Sequence, residues 1–257
     1  MLREVDLIAC EDTRHTRKLL SHYNVSKPLT SYHEHNERRR SEELIRKLEA
    51  GANIALVSDA GTPLVSDPGF ALVSAAIGRG INVVPIPGPS ALAAALAASG
   101  LPCEEFMFIG FLPSKRTARR ARLAELAGVR ATLVCYEAPH RIKESVRDAL
   151  DALGNRQAVV ARELTKIHEE FVRGSLSEIN EALAERITRG EYVLMIGPAS
   201  ETIANEVIDS RPIAEEVNRI MEAQGLDRKS ALKQVTRSRG ISKSEAYRMM
   251  LGEKASD

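Results

Sequence analysis

Three stretches of this sequence place ligand-binding or reactive residue types close together. Residues 57–70 (VSDAGTPLVSDPGF) combine Asp59 with Gly61, Thr62, Pro63, Pro68 and Gly69. Glycines let a backbone approach a ligand closely and prolines fix the turn. Asp59 could accept a hydrogen bond from a ligand ammonium or hydroxyl, whereas a plain strand-to-helix turn would need only Asp67 as a helix cap. Residues 86–92 (IPGPSAL) lead into an alanine-rich run with Ser90 as a natural N-cap. The free amides of such a helix start suit a carboxylate or phosphate, and simple capping explains the same residues equally well. Glu11-Asp12-Thr13-Arg14-His15 offers Glu11, Asp12 and His15 as proton acceptors, with Arg14, Arg17 and Lys18 able to hold phosphates. Its plainer reading is a helix start capped by Thr13. Ala138-Pro139-His140-Arg141 and Ala161-Arg162-Glu163-Leu164-Thr165-Lys166 could close a cleft from the far side.

The elements around these stretches alternate. Short apolar runs at 6–10, 53–57, 82–86 and 106–111 read as strands, and the patterns at 13–23, 37–50, 67–79 and 90–99 read as helices. Apolar strands alternating with helices predict a parallel sheet covered on both faces. Ligands then bind beyond the carboxyl ends of the strands, where the three stretches fall. A second α/β region follows, with strands at 132–136, 158–161, near Phe171-Val172 and at 192–196, and helices at 140–153 and 177–188. Beyond Gly197 the chain reads as helical and polar. The expected organisation is an N-terminal α/β domain over 1–111, a second over 112–200, and a helical tail over 201–257.

Composition narrows the function classes. Hydrophobic residues make up 44% and charged residues 28%, as in ordinary globular proteins. Tryptophan is absent and aromatics are 4%, which argues against stacking platforms for single strands. The formal net charge is +1, so charge distribution matters more than its total. Cys10, Cys103 and Cys135 are scattered, without zinc-ligand spacing, and Cys10 and Cys135 read as buried thiols of a reducing cytoplasm. No apolar run approaches membrane-spanning length, and no signal-peptide layout opens the chain. Walker, G-x-G-x-x-G and G-x-S-x-G motifs are missing. His33 and His35 have no obvious third metal ligand.

Two segments are basic. Lys115, Arg116, Arg119, Arg120 and Arg122 fall within eight residues. From Gly225 to Leu251, seven basic residues face two acidic ones in a helix–glycine turn–helix outline (230–237, 238–241, 242–250) that suits a small helix-turn-helix. Either segment could position a nucleic-acid backbone, and either could be a solvated helix.

Taken in order, LIACEDTRHTRKLL, YHEHNE, LVSDAGTPLVSDPG, IPGPSALAAALAASGL, FIGFLP, YEAPHR, ARELTKIHEE and LMIG resemble the bacterial ribosomal RNA small subunit methyltransferase I family, within the tetrapyrrole-methylase superfamily. The resemblance implies a two-domain class III methyltransferase fold with a small helical tail, a cytoplasmic homodimer, and S-adenosylmethionine held folded between the domains, with no metal and no membrane. It implies 2′-O-methylation of a decoding-centre cytidine in 16S rRNA of the small ribosomal subunit. Carried over by motif position, the cofactor would meet Asp59, Gly61, Thr62, Ser90 and Ala91, with Ala138, Ala161 and Gly197 nearer the adenosine. Glu11, Asp12, His15 and Glu163 are the candidate bases. Arg14 and the 115–122 cations, Lys115, Arg116, Arg119, Arg120 and Arg122, would hold the RNA.

One departure stands out. Members of the family begin with an apolar strand, a T-P-I-G-N-like loop and a helix, whereas LREVDLIACEDTR matches the end of that helix. A strand and one wall of the cofactor site are therefore expected upstream, with a mis-assigned start preferred to a real truncation. Two rival functions remain at this point: a tetrapyrrole methyltransferase, which would need neither basic segment, and a non-catalytic RNA-binding remnant.

Overall fold

A strand covered on both faces sends alternate side chains into two apolar layers. The strand β1, Leu7–Cys10, does this: Leu7 and Ala9 enter one cluster and Ile8 another. In the computed structural model, which describes residues 1–199, 213–238, 246 and 248, β1 is the centre of a three-stranded parallel sheet. Its order is β2-β1-β3, with β2 at Leu29–Ser31 and β3 at Ile54–Val57. Helix α1 (Thr13–His22) covers one face through Leu20. Helices α2 (Glu37–Glu49) and α3 (Phe70–Gly78) cover the other through Leu44, Ile45, Leu72 and Ala76. Because all three strands run parallel, the segments after Cys10, Ser31 and Val57 share one sheet edge.

The second sheet has five strands in the order β4-β5-β8-β6-β7: Phe106–Phe111, Thr132–Glu137, Tyr192–Ile196, Gln157–Arg162 and Glu170–Ser175. Only β4 and β5 are parallel, and the other pairings are antiparallel. Helix α4 (Ala91–Ser99) packs Ala95 and Leu96 on Val134, Val159, Ala161, Val193 and Met195 of this sheet. Helices α5 (Arg116–Glu125), α6 (Ile142–Leu153) and α7 (Leu176–Ala184) pack in succession, α5 on α6 and α6 on α7.

Several expectations change. Residues 82–86 form no strand, and Val83, Val84 and Ile86 are exposed. Pro85, Pro87 and Pro89 alternate, so the donors facing one side of an extended chain are removed. Helix α3 starts at Phe70 rather than Asp67, because the residue before Pro68 is driven out of helical geometry. Asp12, not Thr13, caps α1, accepting from the Arg14 amide at 2.8 Å. Since β4 pairs with β5, the change of sheet precedes Phe106 instead of falling at 112. Both sheets lie in one compact unit, Met1–Leu126 with Ala131–Gly197.

Ala127–Arg130 and the chain from Pro198 onward form a second unit. Its described part has helices α8 (Ile213–Gln224) and α9 (Arg228–Ser238), packed through Ile213, Val217, Ala231, Leu232, Val235 and Ala246. Gly225, at φ +63°, ends α8, and the Asp227 carboxylate accepts from the Ser230 amide at the start of α9. The expected glycine turn and second helix of the basic tail lie outside the described residues, apart from Ala246 and Arg248. No helix among the described residues is long and apolar enough to cross a membrane.

Candidate functional site

The two glycine-proline loops meet. Residues 57–70 leave β3 of the first sheet, and residues 86–92 enter α4, which belongs to the second. The Thr62 hydroxyl donates to the Pro89 carbonyl at 3.2 Å. Beside it Gly61 sits at φ +79°, and a Cβ there would meet only that same carbonyl, at 4.0 Å. The loop is held in uncommon geometry: Leu64 and Ser66 both take positive φ, 73° and 64°, at about 1–3 kcal/mol each. Ser66 also approaches Gly110, at the irregularity of β4 between Phe108 and Phe111.

At the start of α4, Ser90 caps the helix, its hydroxyl accepting from the Ala93 amide at 3.4 Å. The Tyr136 phenol lies beside the backbone of Leu92, and burial pushes it above its ordinary range. The Thr62–Pro89 bond thus brings the loop that carries Asp59 against the start of α4, where Ala91 follows the cap. The donor and acceptor types of Asp59, the Thr62 hydroxyl and the Ala91 amide suit the ammonium and carboxylate of an amino-acid-like ligand, and Gly61 keeps the approach clear of side chain.

Four carboxylates gather around the same edge. Asp59 accepts from the Asp12 amide at 3.3 Å, and its other oxygen lies 3.2 Å from His15 Nδ1. Asp12 is bound twice over by Arg14, through side chain and amide, which holds its carboxyl well below the usual range. Such a group is a poor base. Glu11 differs: it makes no hydrogen bond among the described residues, and partial burial together with Asp67 and Asp59 pushes its carboxyl up. Asp67 is raised chiefly by burial.

The second sheet deals differently with its expected site residues. Ala161 is fully buried, with its strand paired on both sides. Gly197 is buried, and its amide donates to Gln157 at 2.7 Å. Neither presents surface to a ligand. Ala138 is half-buried, with its amide on the Glu137 carboxylate and its carbonyl accepting from Arg141 and Ile142. Glu163 binds Lys166 at 2.9 Å and the Glu191 amide at 3.0 Å, which lowers its carboxyl and commits it to a turn. That removes it as a base.

The basic helix α5 is largely neutralised from within. Arg119 is wholly buried, gripping Asp148 at 2.8 Å and Glu144 at 3.0 Å. Arg116 shares Asp148, Arg120 pairs with Asp151, and Arg122 with Glu125. An RNA contact by Arg119 is ruled out by its burial. Of the six cations expected to hold RNA, Lys115 alone is exposed and makes no ion pair among the described residues. Arg14 is exposed but engaged with Asp12.

Two contributors escape the sequence reasoning. The Glu37 carboxylate accepts from the amides of Gly69 (3.1 Å) and Ala71 (3.2 Å) and from Tyr32 (3.1 Å). It caps α3 from another helix and so pins the far end of the 57–70 loop; only its place in YHEHNE hints at this. Tyr136 has a stronger signal, as an aromatic at a strand's carboxyl end. His33 and His35 rings lie 6.0 Å apart, and no group of three metal-ligating side chains occurs among the described residues.

Comparison with known proteins settles the ancestry. The profile of the tetrapyrrole (corrin/porphyrin) methylases matches residues 1–180. A Halalkalibacterium halodurans protein named ribosomal RNA small subunit methyltransferase I is 46% identical over 248 residues, covering 96% of this chain and 86% of that protein. The chain belongs to the ribosomal RNA small subunit methyltransferase I family. A Synechocystis member is 44% identical, covering 97% of this chain and 89% of its own, and a Xylella fastidiosa member is 50% identical over 83% and 79%. Among solved structures, diphthine synthase superposes with a TM-score of 0.54 at 15% identity (77% of this chain, 81% of that one). The methyltransferase CobJ gives 0.53 at 20% (77% and 85%). At such identities these structures bear on the fold alone, which is that of a class III methyltransferase.

Proposed function

We propose that this chain transfers the methyl group of S-adenosylmethionine to the ribose 2′-hydroxyl of a decoding-centre cytidine in 16S rRNA. The observation that carries the reading is the Thr62–Pro89 bond. It joins the two loops into one opening beside Asp59 and within the field of Glu11, in a chain whose family relatives are named for this RNA. Asp59, Thr62, Ser90 and the Ala91 amide would hold the amino-acid end of the cofactor. When bound, S-adenosylmethionine supplies a methyl group already activated by its sulfonium.

The protein's task is then alignment and proton removal. Glu11 is the base this geometry favours: it is unpaired, and its raised pKa matches it better to an alcohol proton than Asp12. His15, oriented by Asp59, is placed to orient the incoming ribose. The working state in this reading is a cytoplasmic homodimer. The tetrapyrrole alternative loses one objection, since α5 is internally paired, but gains no positive feature.

The test is methyl transfer from tritiated S-adenosylmethionine to small ribosomal subunits lacking the modification, mapped by ribose-methylation-sensitive primer extension. Label at one decoding-centre cytidine ribose is expected. Label on a base, or none on RNA, would overturn the reading.

A further inference from the structure

We propose that the RNA backbone is held by the cationic rim of the first sheet, Arg17 and Lys18 of α1 with Arg38 and Arg39 of α2, rather than by α5. The inference rests on the RNA-methyltransferase reading above. These four side chains are exposed and make no ion pair among the described residues. The α5 arginines, by contrast, are all matched to carboxylates. A cation already paired inside its own chain releases little when it meets a phosphate, whereas a free one displaces the counterions that drive nucleic-acid binding.

The placement also runs against helix electrostatics. The first turn of a helix favours acids, because the macrodipole is positive there. Arg38 and Arg39 sit in the first turn of α2 directly after its one acid there, Glu37, whereas Arg17 and Lys18 lie in the middle of α1, beyond the reach of its dipole. Neighbouring Arg40 is accounted for by Glu43 at 2.6 Å; Arg38 and Arg39 have no such partner. Residues that cost local stability without an internal partner mark a site facing another molecule.

Topology puts the rim where a substrate must lie. The starts of α1 and α2 follow the carboxyl ends of β1 and β2, on the edge that carries Asp59. A cavity of about 570 Å³ opens between the α2 start and Ala71, lined also by Glu34, His35, Asn36 and Glu37. The Glu37 charge is engaged by the Gly69 and Ala71 amides. Glu34 is then the one uncommitted acid lining it against two free arginines. The partner this fits is a run of RNA phosphates passing over α2 and α1 towards Glu11.

The test uses the full chain and a fluorescein-labelled RNA hairpin of decoding-centre sequence, with anisotropy read across a salt series. Arg38→Glu/Arg39→Glu should weaken binding about tenfold or more and lower the salt slope by about 1–2, at roughly 0.7–0.9 for each phosphate no longer neutralised. S-adenosylhomocysteine binding should be unchanged, and Arg38→Lys/Arg39→Lys should keep the slope. Arg120→Glu/Arg122→Glu on α5 should stay within about twofold, as for ordinary surface changes. An unchanged slope in the α2 variant, or a larger effect in the α5 variant, would overturn the rim. If the wild-type chain methylates rRNA but the α2 variant binds RNA normally, only the rim fails; if the wild type never transfers methyl to RNA, the reading beneath it fails too.

Discussion

The two sheets of this protein use their polar residues differently. In the five-stranded sheet and its helices, charges are closed on one another: Arg119 with Asp148 and Glu144, Glu137 with Arg141 and Ser145, Glu163 with Lys166 and Glu191. Its inner strands β5, β6 and β8 are buried almost throughout. In the three-stranded sheet only β1 is fully buried, and the edge it serves leaves Glu11, Arg17, Lys18, Arg38 and Arg39 open. The lesson is a division of labour, in which the second sheet closes its charges within itself and carries α4, while the first exposes the groups proposed to meet ligand.

The sharpest way to break that comparison is Asp148→Ala. It removes the buried partner of Arg119 and leaves only the exposed Glu144 carboxylate facing that charge, and losing one partner of a buried pair costs about 3–5 kcal/mol. Urea unfolding should show that loss, while S-adenosylhomocysteine affinity below the transition stays near wild type. A cofactor-affinity loss as large as the stability loss would erase the division.

Glu11→Gln is the converse. The methyl-transfer rate should fall about a hundredfold, the low end for a general base, with no loss of stability. The sign can be followed with pH. The raised Glu11 pKa means the fold binds its proton more tightly than the unfolded chain does. This group's contribution is therefore present at low pH and lost as pH rises from the unfolded value through the folded one. Activity should climb over the same window as the carboxylate forms, and the Gln variant should show neither trend. A rate within threefold of wild type would remove Glu11 from the mechanism.

Glu37→Ala should have the smallest effect, about 1–2 kcal/mol for two amides left without their acceptor. Because those amides end the 57–70 loop, cofactor Kd should rise several-fold, and Glu37→Gln, which keeps the accepting oxygen, should recover most of it. Equal behaviour of Ala and Gln would reduce Glu37 to bulk packing.

Much of this is legible in the sequence, for identifiable reasons. Strands β1, β3, β4, β5 and β8 announce themselves because each is an unbroken apolar run, and Ser90 is a cap wherever a helix follows it. β2 is invisible because three residues after Pro28 carry no periodicity. Residues 82–86 mislead because apolar character does not guarantee a pairing partner. Both site loops can be found, since glycine and proline spacing is local information. The fates of Arg119, Ala161 and Glu163 cannot, because burial and pairing depend in part on residues far along the chain, such as Asp148 and Glu191, 29 and 28 positions away from Arg119 and Glu163. Glu37 escapes for the same reason: it caps a helix that begins 33 residues later.

The strand order β4-β5-β8-β6-β7 has a consequence for synthesis. The last strand made, β8, is the one that joins β4-β5 to β6-β7, so neither half can close before Ile196 has emerged. At roughly 5–20 residues per second, β5 waits several seconds with an apolar edge open and nothing to pair with. The most deeply buried sheet of the finished molecule is thus the most vulnerable part of the nascent one, and the interval is set by the ribosome rather than by the chain's own folding rate.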